Sequence, residues 1–501
     1  MSSMSAARGN TSIFKTVSST ARGALRQPDY WLLTIILIMV MFGTIMVFSS
    51  SFAIGVREEG GDGYYFLTRH VVYLMIGLAG MLIAMSIDYH VWRKVALPGL
   101  LIVMVVLLGM VVFPSIAPEV WGASRWVQIG PVSLQPSEFA KLGLILYLAS
   151  WLASKGMRVR EFNYGLIPFA VLMGLLVGLI MLQPDLGTSM LLAAIGLSMF
   201  LVAGANLFHL GLVTSVGGAA FLVLALTTAY RRDRILVFLN PDGDLRNLGW
   251  QLAQAKLAIG SGGLFGVGLG ASHQKFAWLP AAHHDAIFAV IAEELGLIGA
   301  GFVLILFIMF AWRGYRVAMR APDSYGALVA VGIVTWMIVQ AAINIGGITT
   351  TIPFTGIPIP FISYGGTSLI VSLVAIGILL NISRQTVDPV EVKVRSNLRG
   401  VSTRARQRQA AQPAPPPPEP RQPRAPRTPA PSKPGARPVP EWPERPRVPA
   451  PVAIGPDDRD PVPTPRERQP APKREIQGRP TTTGGTFGRG RASVSPRGRR
   501  R

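Results

Sequence analysis

Between Trp31 and Leu380 the chain repeats long uncharged apolar runs, a pattern that a soluble fold of this size does not need. A run of roughly 18 or more apolar residues is long enough to cross the hydrocarbon core of a bilayer as a helix. Ten such spans are expected, near 31–50, 68–87, 95–113, 136–153, 165–182, 186–204, 207–228, 285–312, 325–348 and 363–383. The fold class read from this is an all-α polytopic membrane protein. Ten crossings put both ends of the chain on one side of the membrane.

Charge supplies the orientation. Arg8, Lys15, Arg22 and Arg26 precede the first span, which is too long for a signal-peptide core and reads as a signal anchor with a cytoplasmic N-terminus. Short loops on the predicted inside carry Arg93-Lys94, then Lys155, Arg158 and Arg160, then Arg313, Arg316 and Arg320. The opposite loops are poorer in Lys and Arg, so the positive-inside rule closes along the chain.

The net charge of +22 would suggest a nucleic-acid partner if it covered one globular face. It does not: from Glu391 onward there are 25 Lys/Arg against 9 Asp/Glu. No nucleic-acid function is therefore read from the charge. Pro, Arg and Gly dominate residues 386–501, with too few aliphatic side chains to offset the entropy of ordering. That segment is expected to be a disordered cytoplasmic tail with affinity for an acidic cytoplasmic protein or anionic lipid. The domain plan is thus a cytoplasmic segment 1–29, a membrane domain 30–385 and the tail. There is no cysteine, which excludes a disulfide framework and any Cys-based metal site.

One predicted outside loop, about 230–284, is too long for a plain connection, and loops of that length are usually functional. It contains the Arg231-Arg232-Asp233-Arg234 cluster, an amphipathic stretch from Gln251 to Ile259, and six glycines between Gly260 and Gly270. The glycines lack the Gly-Lys-Ser/Thr of a phosphate loop and suit a flexible substrate-handling loop instead. The loop ends in Leu279-Pro-Ala-Ala-His-His-Asp285, where a polar segment meets an apolar helix. A carboxylate at that boundary is half shielded, keeps a raised pKa and can accept a proton. Asp also favours helix N-caps, and the two roles are compatible.

Other polar groups are weighed in the same way. Glu138 and Lys141 lie three apart on one helical face at membrane depth, either as a structural ion pair or as a polar wall of a substrate cavity. Asp185, in Gln183-Pro-Asp-Leu-Gly187, reads first as the cap of a tight turn. One of Glu293 and Glu294 is expected to pair across the bundle. His283, His284, Asp285 and His273 show no metal-protease spacing, so no dedicated metal site is assigned. A hard cation such as magnesium or manganese, shared with substrate phosphates, would leave no spacing signature.

In sequence order, five motifs resemble the SEDS family (shape, elongation, division and sporulation proteins). They are Gly122-Ala-Ser-Arg-Trp-Val-Gln-Ile-Gly-Pro-Val-Ser-Leu-Gln-Pro-Ser-Glu-Phe-Ala-Lys-Leu142, Gln183-Pro-Asp-Leu-Gly-Thr-Ser189, Gly268-Leu-Gly-Ala-Ser-His-Gln-Lys-Phe276, the Asp285 stretch, and Gly356-Ile-Pro-Ile-Pro-Phe-Ile-Ser-Tyr-Gly-Gly-Thr-Ser368. The resemblance covers residues 30–385. It implies a ten-helix enzyme of the plasma membrane that polymerises lipid II into peptidoglycan glycan strands. The septal, cell-division branch is the nearer match, of an actinobacterial type, with the elongation branch as the alternative. The implied partners are a class B penicillin-binding protein and other division proteins, at the division septum.

The resemblance also implies that Asp285 is the essential acid and that Glu138 and Lys141 are the buried pair. An acceptor hydroxyl would give its proton to Asp285 while the donor loses a polyprenyl diphosphate. Counter-charge would come from Arg125, Lys275, one of Arg231 to Arg234, or a divalent ion; Ser272 and Asp185 complete the expected substrate-binding set. This chain departs from the family pattern at Ala281 and Ala286, where a carboxylate and an aromatic are usual. Two rivals from other classes are a lipid II flippase, which needs no base, and a scaffold that only recruits a transpeptidase.

Overall fold

A computed structural model describes residues 27–386, apart from 114–116, 118–124, 130–131, 228, 241–247 and 277. The N-terminal polar segment, the Pro/Arg-rich tail and the start of the motif at Gly122 lie outside the described residues. Three helices come first, α1 Tyr30–Glu58, α2 Tyr65–Ser86 and α3 Tyr89–Val112. A two-stranded hairpin follows, β1 Val127–Ile129 antiparallel to β2 Val132–Leu134, with Gln128 opposite Ser133. Then come α4 Pro136–Lys155, α5 Ile167–Leu182, α6 Leu186–Val202 and α7 Leu207–Thr227. The chain continues through α8 Ala229–Leu239, α9 Leu248–Ser261, α10 Ile287–Arg320, α11 Ser324–Ile348 and α12 Gly366–Arg384.

Ten of these helices coincide with the ten expected spans, and the fold is a polytopic helical membrane protein. Eight candidate spans are long and apolar enough on that ground alone, α5 being counted with the helical turn that precedes it from Phe162. α6 is shorter at 17 residues, and α4 opens with the ionisable Glu138 and Lys141. The other two helices, α8 and α9, form inside the long loop, and α9 contains the amphipathic stretch foreseen there. α11 and α12 are buried along most of their length, whereas α7 is mostly exposed.

Polar side chains tie the two ends of the bundle. At one end Asp29 caps α1 and accepts from Arg313 at 2.8 Å, while Asp323 caps α11 and accepts the Tyr89 hydroxyl at 2.8 Å. At the other end Thr367 of α12 accepts from Gln135 N at 3.3 Å and donates to the Ser133 carbonyl at 3.2 Å, which fastens the hairpin and the start of α4.

The element that shapes this second end is α10. Gly296 adopts φ 66°, ψ −162°, and divides the helix into 287–295 and 297–320. A break at membrane depth is tolerated only where other protein groups satisfy the freed backbone. Here the glycine-rich loop does so. Val267 N and Gly268 N donate to the carbonyls of Glu293 and Glu294 at 3.0 Å each, and Leu297 N and Ile298 N donate to Gly263 O and Leu264 O at 2.9 and 3.2 Å. Gly266 sits at φ 81°, and a Cβ there would collide with the Glu294 carbonyl. The glycines are thus a docking surface for a broken helix. Gly266→Val is expected to lower stability by about 1–3 kcal/mol through strain at a left-handed position. The thermal midpoint in detergent measures it.

Candidate active site

Asp285 lies one residue before the N-cap of α10, which is Ala286 and makes no side-chain capping bond. Asp285 therefore does not occupy the N-cap position, although the backbone N–H of Ala286 is among the groups that favour its ionised form. Its backbone is fixed instead: Asn344 Nδ2 of α11 donates to the Asp285 carbonyl at 2.8 Å and to the Ile357 carbonyl at 2.7 Å. The side chain is 9 % exposed, and Oδ1 has no hydrogen-bond partner among the described residues. A buried carboxylate oxygen without a donor is costly, so such groups call for an explanation. Burial pushes the Asp285 carboxyl above the usual carboxylate range, against the opposing pull of His284 and Arg234.

The wall opposite is the segment 352–361. A Cβ on Gly356, which has φ 77°, would lie 3.3 Å from Asp285 Oδ2 and 3.6 Å from Arg234 Nη1. A Cβ there would be tight against the carboxylate and in ordinary contact with the guanidinium, and the positive φ favours glycine. Arg234, from α8, donates to the Phe354 carbonyl at 2.9 Å and sits over the Phe354 ring. On the other side His283 packs against Phe66 and Tyr364, with ring centroids 4.6 and 5.4 Å apart. Burial, with His284 beside it, pushes the His283 imidazole down to about 3, so it stays neutral. Among the described residues no three His, Asp or Glu side chains converge as a metal site.

Glu138 and Lys141 form a fully buried pair, with Lys141 Nζ 2.7 Å from Oε2 and 2.8 Å from Oε1. Lys141 also donates to Gln340 Oε1 at 3.0 Å and lies 4.8 Å from the Trp336 ring centroid. Gln340 in turn accepts from Trp336 Nε1 at 2.7 Å and donates to the Pro358 carbonyl at 2.8 Å. Trp336, Gln340 and Asn344 recur every four residues, so they line one face of α11. That face carries the Glu138–Lys141 pair, the 352–361 segment and the backbone of Asp285.

The remaining expected residues divide. Asp185 caps α6, accepting from Thr188 N at 3.0 Å and Thr188 Oγ1 at 2.9 Å. Arg125 reaches the same turn, with Nε 3.9 Å from Asp185 Oδ2 and a hydrogen bond to the Pro184 carbonyl. Arg231 donates to the Met181 carbonyl at 2.8 Å. Lys275 and Ser272 lie elsewhere, in a buried network with Glu294 and Glu293. Sequence reasoning missed Asn344, Gln340 and Ser49. A signal existed for the first two, since amides four apart in an otherwise apolar span must face the bundle interior.

The fold is that of a helical membrane protein, and its candidate site is a buried carboxylate with no donor at Oδ1, beside an arginine and Gly356. The sequence from 30 to 388 matches the Cell cycle protein family of FtsW, RodA and SpoVE, and the chain belongs to that family. It is 42 % identical over 360 residues to a probable peptidoglycan glycosyltransferase FtsW of Trichlorobacter lovleyi, covering 72 % of this chain and 94 % of the relative. It is 41 % identical to the stage V sporulation protein E of Bacillus subtilis, over 71 % of this chain and 97 % of that protein. Among solved structures, a chain of a peptidoglycan synthase complex that coordinates polymerization and crosslinking superposes with a TM-score of 0.59 at 27 % identity, covering 72 % of this chain and 98 % of the other. The rod shape determining protein RodA of Thermus thermophilus superposes with a TM-score of 0.54 at 27 % identity, covering 72 % and 98 %.

Proposed function

We propose that this protein is a peptidoglycan glycosyltransferase of the cell-division, FtsW type, with lipid II as its substrate and Asp285 as its general base. The carrying observation is the Asp285 carboxylate, buried, lacking a donor at Oδ1 and fixed through its backbone by Asn344. The incoming sugar hydroxyl gives its proton to this carboxylate as its oxygen attacks the anomeric carbon of the donor strand. The bond to the diphosphate oxygen breaks in the same displacement, and the anomeric centre inverts. Arg234, which meets the Gly356 backbone beside the base, and Arg125, at the α6 turn, are the cations for the departing diphosphate. Lys275, the other cation considered, is already held by Glu294. A magnesium or manganese ion, if bound, would supply further counter-charge there, held by the substrate phosphates. Glu138 and Lys141 form the polar wall behind the 352–361 segment.

A class B penicillin-binding protein and other division proteins are the proposed partners, at the septum of the plasma membrane with both termini cytoplasmic. The tail is proposed to contact an acidic cytoplasmic protein or anionic lipid.

Purified protein given labelled lipid II in detergent is expected to yield glycan polymer. The base must be ionised, so the rate rises with pH through the Asp285 pKa. Burial places that acid limb above the ordinary carboxylate value of about 3.9. Reconstituted protein that translocates lipid II and makes no polymer would replace this reading with the flippase.

A further inference from the structure

A second acidic cluster lies outside the chemistry assigned above. Glu293 and Glu294 end the first segment of α10, directly before the break at Gly296. Glu294 is completely buried; its two oxygens lie 2.8 and 2.7 Å from the Ser49 hydroxyl of α1, and Lys275 Nζ is 2.7 Å from Oε1. Lys275 also reaches Ser49 Oγ at 3.3 Å and is only 4 % exposed. Glu293 accepts from Ser272 Oγ at 2.6 Å and from His273 N at 2.8 Å.

These bonds close a ring. From Asp285 the chain runs along the helical segment to Glu294, crosses the ion pair to Lys275, and returns along the loop to Asp285. The return path is itself stiffened by Leu279 N to Gln274 O and His284 N to Ala281 O, both 2.9 Å. Ser49 fastens the far side of the ring to α1, and Asn344 fastens the near side to α11. Without the Lys275–Glu294 tie, the loop that leads into Asp285 keeps the Glu293 bonds at Ser272 and His273 and loses its link to α1 through Ser49.

We propose that Lys275 and Glu294, bridged by Ser49, are positioning residues that set the placement of the Asp285 carboxylate against Gly356 and Arg234. They act through the backbone and touch no substrate. The inference rests on Asp285 being the base. It assigns to Lys275 and Glu294 an effect on the chemical step in addition to stability, since a base displaced by even a fraction of its reach loses rate steeply.

The test uses full-length protein in detergent, with lipid II polymerisation and melting temperature measured on the same samples. Lys275→Met or Glu294→Gln alone strands a buried partner and lowers the melting temperature. The double variant carries no unpaired charge, and its melting temperature is expected to return close to wild type. Its kcat is expected to stay at least about 10-fold low with KM within about 2-fold, the pattern of a misplaced catalytic group. Wild-type kcat in a double variant of recovered stability overturns the proposal. So does a raised KM at unchanged kcat, which means that Lys275 holds substrate. Ser49→Ala covers the case of poor folding, because it leaves the ion pair in place; a kcat lowered about 3-fold at unchanged KM is expected, and wild-type kcat overturns the proposal. Wild-type rates for Asp285→Asn would remove the reading beneath it, which none of the other outcomes does.

Discussion

Asp285→Asn is expected to give a protein that is folded, more resistant to heat than wild type, and nearly inactive in polymerising lipid II. The loss in kcat should be about 10²–10⁴-fold, the usual contribution of a general base. The gain in stability follows from the same burial that makes the group useful. In the folded protein the carboxyl is pushed up, so the folded state prefers it protonated. That preference contributes stability below the unfolded-state pKa, and the contribution is lost as pH rises through the folded-state value. Above the folded-state value, wild type holds an ionised carboxylate with an undonated Oδ1, whereas the amide has the same shape without the charge. The melting-temperature difference should shrink as the buffer is made acidic. A less stable Asn variant, or one with substantial activity, would contradict the assignment.

The second large effect concerns stability. Glu138→Gln removes the carboxylate that offsets the Lys141 ammonium, which is 1 % exposed and would be left with neutral partners at hand, the new amide oxygen, the Gln340 oxygen and the Trp336 ring. Breaking a buried pair from one side costs about 3–5 kcal/mol. Pairing that change with Lys141→Met removes the stranded charge and should recover most of the loss. Unfolding midpoints of the two variants in one detergent decide it. Equal midpoints for both would mean that the pair is not coupled in the folded protein.

Much of the fold was legible because lipid imposes a simple rule on sequence: length and lack of charge marked the spans, and arginines and lysines marked their direction. Asp285 stood out as a candidate for a related reason, since it is the acid at the start of a long apolar run, where capping is the competing use. What stayed hidden depends on three-dimensional closure. The glycines of 260–270 looked like flexibility, and their purpose emerged only with the break at Gly296, whose freed carbonyls they cover. Lys275 looked like a cation for phosphate because sequence separation from Asp285 is short, yet folding delivers it to Glu294 instead. The hairpin at 127–134 was missed as well, because two three-residue strands leave almost no periodic trace.

The interruption at Gly296 has a mechanical consequence. Across it no continuous ladder of helical hydrogen bonds runs, since Leu297 and Ile298 donate to Gly263 and Leu264. Compression or tilt imposed on the lower part of α10 by a thicker or thinner bilayer is therefore handed to the glycine segment. The segment 287–295 that follows Asp285 is thus joined to the rest of α10 through the glycine loop and not through a helical ladder.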